Sequence, residues 1–102
     1  MKELTIERVK ASEGVKFKVI GRITTVNEEY FEEMLTHALE EGFYHIVLNL
    51  QDVTLITSAG IRIILKTFKS CLEKGGRFRI EDPSEVVKNV MGLSALQQMM
   101  VD

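Results

Sequence analysis

The apolar and polar positions along the chain fall into short segments of two kinds. Leu4, Ile6 and Val9 alternate loosely, and Val15-Lys16-Phe17-Lys18-Val19-Ile20 alternates apolar with basic residues as far as Gly21. A period of two marks a half-buried strand. Ser12-Glu13-Gly14 between the two segments is a turn signal, so they predict a hairpin. Tyr30, Phe31, Met34, Leu35, Ala38 and Leu39 then recur at helical spacing. Thr25 or Asn27 is placed to cap that helix, Glu28 and Glu29 complement its positive end, and Gly42 supplies its stop.

A dense apolar run follows, Ile46-Val47-Leu48 with Leu50, which predicts a buried strand from His45 to Leu50. After a short polar turn a second helix opens on Thr57-Ser58-Ala59-Gly60. It carries Ile61, Ile64, Leu65, Phe68, Cys71 and Leu72 on one face and ends at Lys74-Gly75-Gly76. Arg77-Phe78-Arg79-Ile80 alternates again and reads as a strand. In Asp82-Pro83-Ser84-Glu85, Asp82 is placed to cap a third helix, Pro83 suits its first position, and Glu85 sits three after the cap. Val86, Val87, Val90 and Met91 form its apolar side and Gly92 interrupts it. The remaining residues, Leu93 to Asp102, fit a short helix followed by a closing strand at Met99-Met100-Val101. Strands alternating with helices after residue 45 imply parallel neighbours joined by right-handed crossovers. The expected class is α/β: one domain, with a mixed sheet of four to five strands and three or more helices.

Composition narrows the function. A chain of 102 residues fits one domain that buries enough surface to fold without a disulfide or metal. The formal net charge is −2 with both signs mixed, so no basic block supports nucleic-acid binding. The lone cysteine, Cys71, falls on an apolar helix face and reads as core packing. The absence of disulfides suits a reducing cytoplasm. Met1-Lys2-Glu3 begins no apolar export segment, and no apolar run approaches the roughly 20 residues of a membrane helix.

Ser58 is the main candidate for chemistry. It lies where a buried strand hands over to an amphipathic helix, among unpaired backbone N–H groups at a positive dipole end. One reading is an N-cap contributing about 1 kcal/mol. The other is regulatory phosphorylation, which would place nearly two negative charges on that surface. Thr57 offers the same hydroxyl less well. Gly60 is disfavoured inside a helix by about 1 kcal/mol relative to alanine, which points either to close helix–sheet packing or to a partner's close approach. The serine is not a nucleophile elbow, since residue 56 is Ile rather than Gly. His37 and His45 lack carboxylates or thiols at metal-ligand spacing, and no GxxxxGK[ST] loop is present. Glu28, Glu29, Glu32, Glu33, Glu40 and Glu41 read as a solvated helix face, and Met91, Leu93, Leu96, Met99 and Met100 as a C-terminal apolar patch. No catalytic constellation, metal set or cofactor motif emerges, so an enzyme is not expected.

The run Ile46-Val47-Leu48-Asn49-Leu50-Gln51-Asp52-Val53, followed by Ile56-Thr57-Ser58-Ala59-Gly60-Ile61, resembles the STAS domain of bacterial anti-sigma-factor antagonists. Gly21-Arg22-Ile23-Thr24, Lys74-Gly75-Gly76 and Val86 to Leu93 extend the resemblance over nearly the whole chain, so residues 1–102 are expected to form one STAS domain. The resemblance implies partner switching. The unphosphorylated protein would bind an anti-sigma factor with serine kinase activity, phosphorylation of Ser58 would release it, and a serine phosphatase would reset it, so that sigma-factor-dependent transcription is controlled. Thr24, Thr25, Thr57, Ala59, Gly60 and Ile61 would line the docking surface around Ser58. Many members carry aspartates where this chain has Thr24 and Thr57, whereas others with Ser-Ser-Ala-Gly closely match Thr57 to Gly60. The alternative implied by the family is a non-switching STAS subunit of a lipid-transport or stress-sensing complex, with Ser58 only a cap.

Overall fold

A computed structural model describes residues 3–100. Its elements run β1 (Leu4–Lys10), β2 (Val15–Ile23), α1 (Glu28–Glu40), β3 (His45–Ile56), α2 (Ser58–Glu73), β4 (Arg77–Glu81), α3 (Glu85–Met91) and α4 (Leu93–Met100). The sheet order is β1-β2-β3-β4, with β1 antiparallel to β2 and the remaining pairs parallel. The hairpin and the parallel crossovers expected from the sequence are therefore both present, in an α/β fold with a mixed four-stranded sheet.

Two strands run further than their sequence pattern predicts. β2 passes through Gly21 to Ile23, and β3 continues from Leu50 to Ile56 through the stretch expected to be a polar turn. At Gly21 the backbone has φ +114, and a Cβ there would stand 2.1 Å from the carbonyl oxygen of Glu3, so only glycine carries the strand past this point. In β3 the cause is register. Lys18 pairs with Asn49 but Ile20 with Asp52, and Gly21 with Val53 but Arg22 with Leu55. At each slip β3 takes in one extra residue. Its buried positions beyond Asn49 therefore fall at Leu50, Val53 and Ile56, three apart instead of two. Side chains mend both slips: Asn49 Oδ1 accepts from Gln51 N at 3.1 Å, and the Thr54 hydroxyl donates to Gly21 O at 3.4 Å.

Val15, Phe17 and Val19 of β2, Ile46, Leu48 and Leu50 of β3, and Phe78 and Ile80 of β4 are buried. The helices add Phe31, Leu35 and Ala38 from α1, and Ile63, Ile64 and Cys71 from α2. The inward stripe of α2 is Gly60, Ile63, Ile64, Thr67 and Cys71, rotated from the expected stripe. Thr67 is tolerated inside because its hydroxyl donates to Ile63 O at 2.8 Å, one turn back. Phe68 sits at the boundary, edge-on to Phe78 with centroids 6.0 Å apart, and Leu72 is half exposed. The Cys71 thiol is pushed up to about 11 by burial, consistent with a packing role. Gly60 is explained from beneath: a Cβ there would meet Ile56 Cγ1 at 2.8 Å and Ile23 Cγ2 at 3.0 Å.

The alternate residues of the strands carry charge. Glu81 accepts from Lys16 Nζ at 2.6 Å and from Asn49 Nδ2 at 3.1 Å, tying β2, β3 and β4 together across the sheet. The Lys16 ammonium, then Asn49 and Arg79, hold the Glu81 carboxyl below the usual carboxylate range against the opposing effect of burial.

The C-terminal third departs from expectation in two places. Ser84, not Asp82, caps α3: its hydroxyl accepts from Val87 N at 3.3 Å and also donates to Val53 O at 2.6 Å. Asp82 instead turns the chain at φ +48. Pro83 therefore precedes the cap, and Glu85 is the first helical residue. The segment expected to close the sheet is α4, because Leu96 and Met99 both bury on one face at helical spacing; Val101 lies outside the described residues. Among the described residues no helix is long and apolar enough to cross a membrane.

Two predictions follow from this packing. Gly60→Ala gains about 1 kcal/mol of helix propensity but overpacks Ile23 and Ile56, which typically costs about 1–3 kcal/mol. Urea unfolding is expected to show a net loss of about 1 kcal/mol; a stabilised variant would refute the close-packing account. Glu81 has a depressed folded-state pKa, so its contribution is present above the unfolded carboxylate value and is lost as pH falls through the folded one. Glu81→Gln should therefore lower stability at neutral pH and converge on the wild type only once the pH has fallen through the depressed folded-state pKa, read as unfolding midpoints in a pH series.

Candidate functional site

The site forms at the ends of the two central strands. Ile23 and Ile56 pair directly in the register of β2 with β3, and both are buried. The chain leaves the core at neighbouring points, through Thr24 on one side and Thr57 on the other. Two segments distant in sequence thus meet beside the paired strand ends.

The first segment is a turn held by its own side chains. Thr24 N donates to Asn27 Oδ1 at 2.9 Å, Asn27 Nδ2 donates to Arg22 O at 2.9 Å, and Val26 N donates to Thr24 Oγ1 at 3.3 Å. Asn27 occupies the N-cap position of α1, yet its side chain makes no capping bond because it is turned back into this turn. Glu28 N instead reaches Thr24 O at 2.9 Å. Thr24 is half-buried and Thr25 exposed.

The second segment is the start of α2. Thr57, not Ser58, is the N-cap: its extended backbone (φ −82, ψ 166) leaves its hydroxyl to accept from Gly60 N at 3.1 Å. The capping role considered for Ser58 is thereby corrected. Either hydroxyl suits the position by residue type, and the strand's run to Ile56 decides between them. Ser58 is the first helical residue and is exposed. Ala59 and Ile61 are half-buried, and Gly60 is buried against Ile23 and Ile56. All the residues singled out in these two segments therefore gather at one pole, Gly60 from below and Ser58 and Thr25 outermost.

Two features of this pole are not visible locally in the sequence. The first turn of α2 contains no acidic residue of its own, but a carboxylate arrives from α1. The Thr57 hydroxyl donates to Glu28 Oε2 at 3.2 Å, across 29 positions of sequence. Glu28 was legible only as a complement to its own helix. A groove of about 710 Å³ runs on from here between the helices, with Glu28, Glu29 and Glu32 on the α1 side and Arg62, Lys66 and Lys69 on the α2 side. Lys66 bridges it to Glu32 at 3.2 Å. The second feature is Val26, 86% exposed at the tip of the turn; its sequence signal was an apolar residue inside a polar turn, off the helical period.

Elsewhere, His37 is exposed in the last turn of α1, and His45 Nε2 lies 3.8 Å from Glu13 Oε2. Among the described residues no group of three or more His, Cys, Asp or Glu side chains is arranged to hold a metal ion.

Comparison with known proteins bears on this arrangement. A putative anti-sigma factor antagonist of Thermotoga maritima is 34% identical over 61 residues, which is 60% of this chain and 54% of that protein. The match thus spans about half the length of that relative. An anti-sigma-B factor antagonist of Staphylococcus epidermidis is 24% identical over 97 residues, covering 95% of this chain and 90% of its own. The structure of the anti-sigma factor antagonist SpoIIAA in its unphosphorylated form superposes with a TM-score of 0.79 at 21% identity, covering 97% of this chain and 86% of that one. The Bacillus protein in its phosphorylated form gives 0.77 at the same identity, covering 97% and 89%. At that identity the likeness establishes the shared fold. The model of the STAS domain matches residues 5–101, and the chain belongs to the STAS domain family.

Proposed function

We propose that this chain is an anti-sigma factor antagonist, a regulatory binding protein rather than an enzyme, working in the cytoplasm as one STAS domain over residues 1–102. In this reading it binds an anti-sigma factor with serine kinase activity while Ser58 is unmodified. Phosphorylation of Ser58 releases it, a serine phosphatase restores it, and sigma-factor-dependent transcription follows the balance. The observation that carries the proposal is the exposure of Ser58 at the start of α2, beside the Thr24–Asn27 turn. The names of the relatives, and the existence of SpoIIAA structures in both phosphorylation states, support it.

The physical argument is one of charge on a contact surface. Thr24, Thr25, Thr57, Ser58, Ala59 and Ile61 bear no formal charge, and Gly60 lets them lie close to the strand ends. At these seven positions a partner meets hydroxyls and small apolar groups, and the neighbouring Glu28 carboxylate is half-buried and already bonded to Thr57. A phosphate on Ser58 adds about −1.5 to −2 charge at neutral pH, and burying it without a cationic partner would cost on the order of a few kcal/mol. A tenfold loss of affinity requires only about 1.4 kcal/mol. Neither a nucleic acid nor a membrane is a partner in this reading.

The test uses the anti-sigma kinase encoded by the same organism, with ATP, followed by mass spectrometry and titration calorimetry. Phosphate is expected on Ser58, with little on Thr57, and at least a tenfold fall in affinity on modification. Ser58→Ala should bind like the unmodified protein and take up no phosphate, whereas Ser58→Asp should bind at least tenfold more weakly. Equal binding by the two variants would overturn the switch. Stable co-purification with a membrane transporter, without phosphate on Ser58, would favour a fixed subunit instead.

A further inference from the structure

Glu28 stands between the two halves of the proposed docking surface. Its Oε2 accepts a hydrogen bond from the Thr57 hydroxyl at 3.2 Å, and the same Thr57 oxygen accepts from Gly60 N at 3.1 Å. Its backbone N–H donates to Thr24 O at 2.9 Å, while Thr24 N is held by Asn27 Oδ1. A continuous chain of hydrogen bonds therefore leads from the first turn of α2, through Thr57 and Glu28, to the Thr24–Asn27 turn. Ser58 is covalently next to Thr57 in that chain.

We infer that Glu28 is a positioning residue that transmits modification of Ser58 to the Thr24–Asn27 turn by charge repulsion through Thr57. The inference rests on the proposed phosphorylation of Ser58 and adds a route and a residue to it. Unmodified, the carboxylate of Glu28 serves the positive end of α2, which has no acid of its own. A phosphate on Ser58 claims the same helix end with a larger charge, and two like charges cannot share it without strain on one of them. Among the cations of the groove, Lys66 is already paired with Glu32 at 3.2 Å. Arg62, four residues after Ser58 on the same helix, is placed to draw the phosphate along α2. Glu28 is then displaced, its bond from Thr57 is broken, and the turn that begins α1 loses an anchor. The docking surface would change in shape as well as in charge. This mechanism also gives a negative group beside Ser58 in a chain that has threonines at positions 24 and 57.

The experiment installs phosphoserine at position 58 during synthesis, by genetic encoding, so that no kinase is needed. Absence of a cognate kinase would then defeat the proposed function while leaving this inference open to measurement. Wild type, Glu28→Gln and Glu29→Gln are each prepared with serine and with phosphoserine, and backbone amide NMR spectra are compared. In wild type and Glu29→Gln, phosphorylation is expected to shift the Thr24, Thr25 and Val26 amides. In Glu28→Gln, which keeps the hydrogen-bond acceptor but not the charge, those shifts should fall by more than half. The second ionisation of the phosphate, followed by phosphorus NMR across a pH titration, should move to lower pH in Glu28→Gln. Glu29 and Glu32 from α1 and Arg62 and Lys66 from α2 also face this groove, so the Glu29→Gln arm separates a specific neighbour from general acidity. Turn shifts of equal size in Glu28→Gln and wild type, or an unchanged phosphate ionisation, would overturn the inference.

Discussion

Ile23 and Ile56 end their strands as direct parallel partners in the core, and Gly60 lowers α2 onto them to a distance that leaves no room for a methyl group. The position of the whole pole depends on this contact. Because the strands finish level, the Thr24–Asn27 turn and the start of α2 emerge side by side. Because Gly60 has no side chain, the first turn of α2 lies close against the strand ends, and in that turn Thr57 meets a carboxylate from α1. The exposed Ser58 is therefore set on a foundation of aliphatic packing rather than on polar bonds alone. Core packing tolerates small volume changes poorly, which keeps the geometry of such a surface well defined.

Level strand ends required an adjustment that local pattern did not disclose. β2 has 9 residues and β3 has 12. β2 pairs with Ile46 to Ile56 of β3, two residues more than its own length, and two register slips absorb that excess and convert a period of two into a spacing of three at Leu50, Val53 and Ile56. That is why Gln51 to Leu55 looked like a turn: polar residues fell where strict alternation would place apolar ones. The order of elements was legible because each apolar run kept its period for at least several residues. The inward face of α2 was not, since Thr67 looks polar in sequence and is satisfied by Ile63 O only once the helix exists. The caps were legible as short clusters but not as individuals. Thr57 and Ser58 are both capping types, as are Asp82 and Ser84, and the tertiary setting selected Thr57 and Ser84. Glu28 belonged to a site that only the folded chain assembles, so its meeting with Thr57 carried no local signal at all.

Two of the charged arrangements differ in kind. Near the middle of the sheet, Lys16, Asn49 and Glu81 join three strands by short bonds and carry a pH-dependent share of stability. At the Ser58 pole, Glu28 holds a hydroxyl rather than a cation. The first arrangement satisfies its own charges internally. The second leaves a carboxylate answerable to whatever appears at the adjacent helix end, which suits a surface proposed to change state.

The Thr57 hydroxyl donates a hydrogen bond to Glu28 Oε2 and accepts one from Gly60 N. Half-buried and held by two bonds, this alcohol is fixed in orientation and partly covered before any phosphoryl donor arrives. Its neighbour in the chain is an alcohol in water. Discrimination between two adjacent hydroxyls can thus begin in the resting protein, through which of the two an incoming enzyme is able to reach.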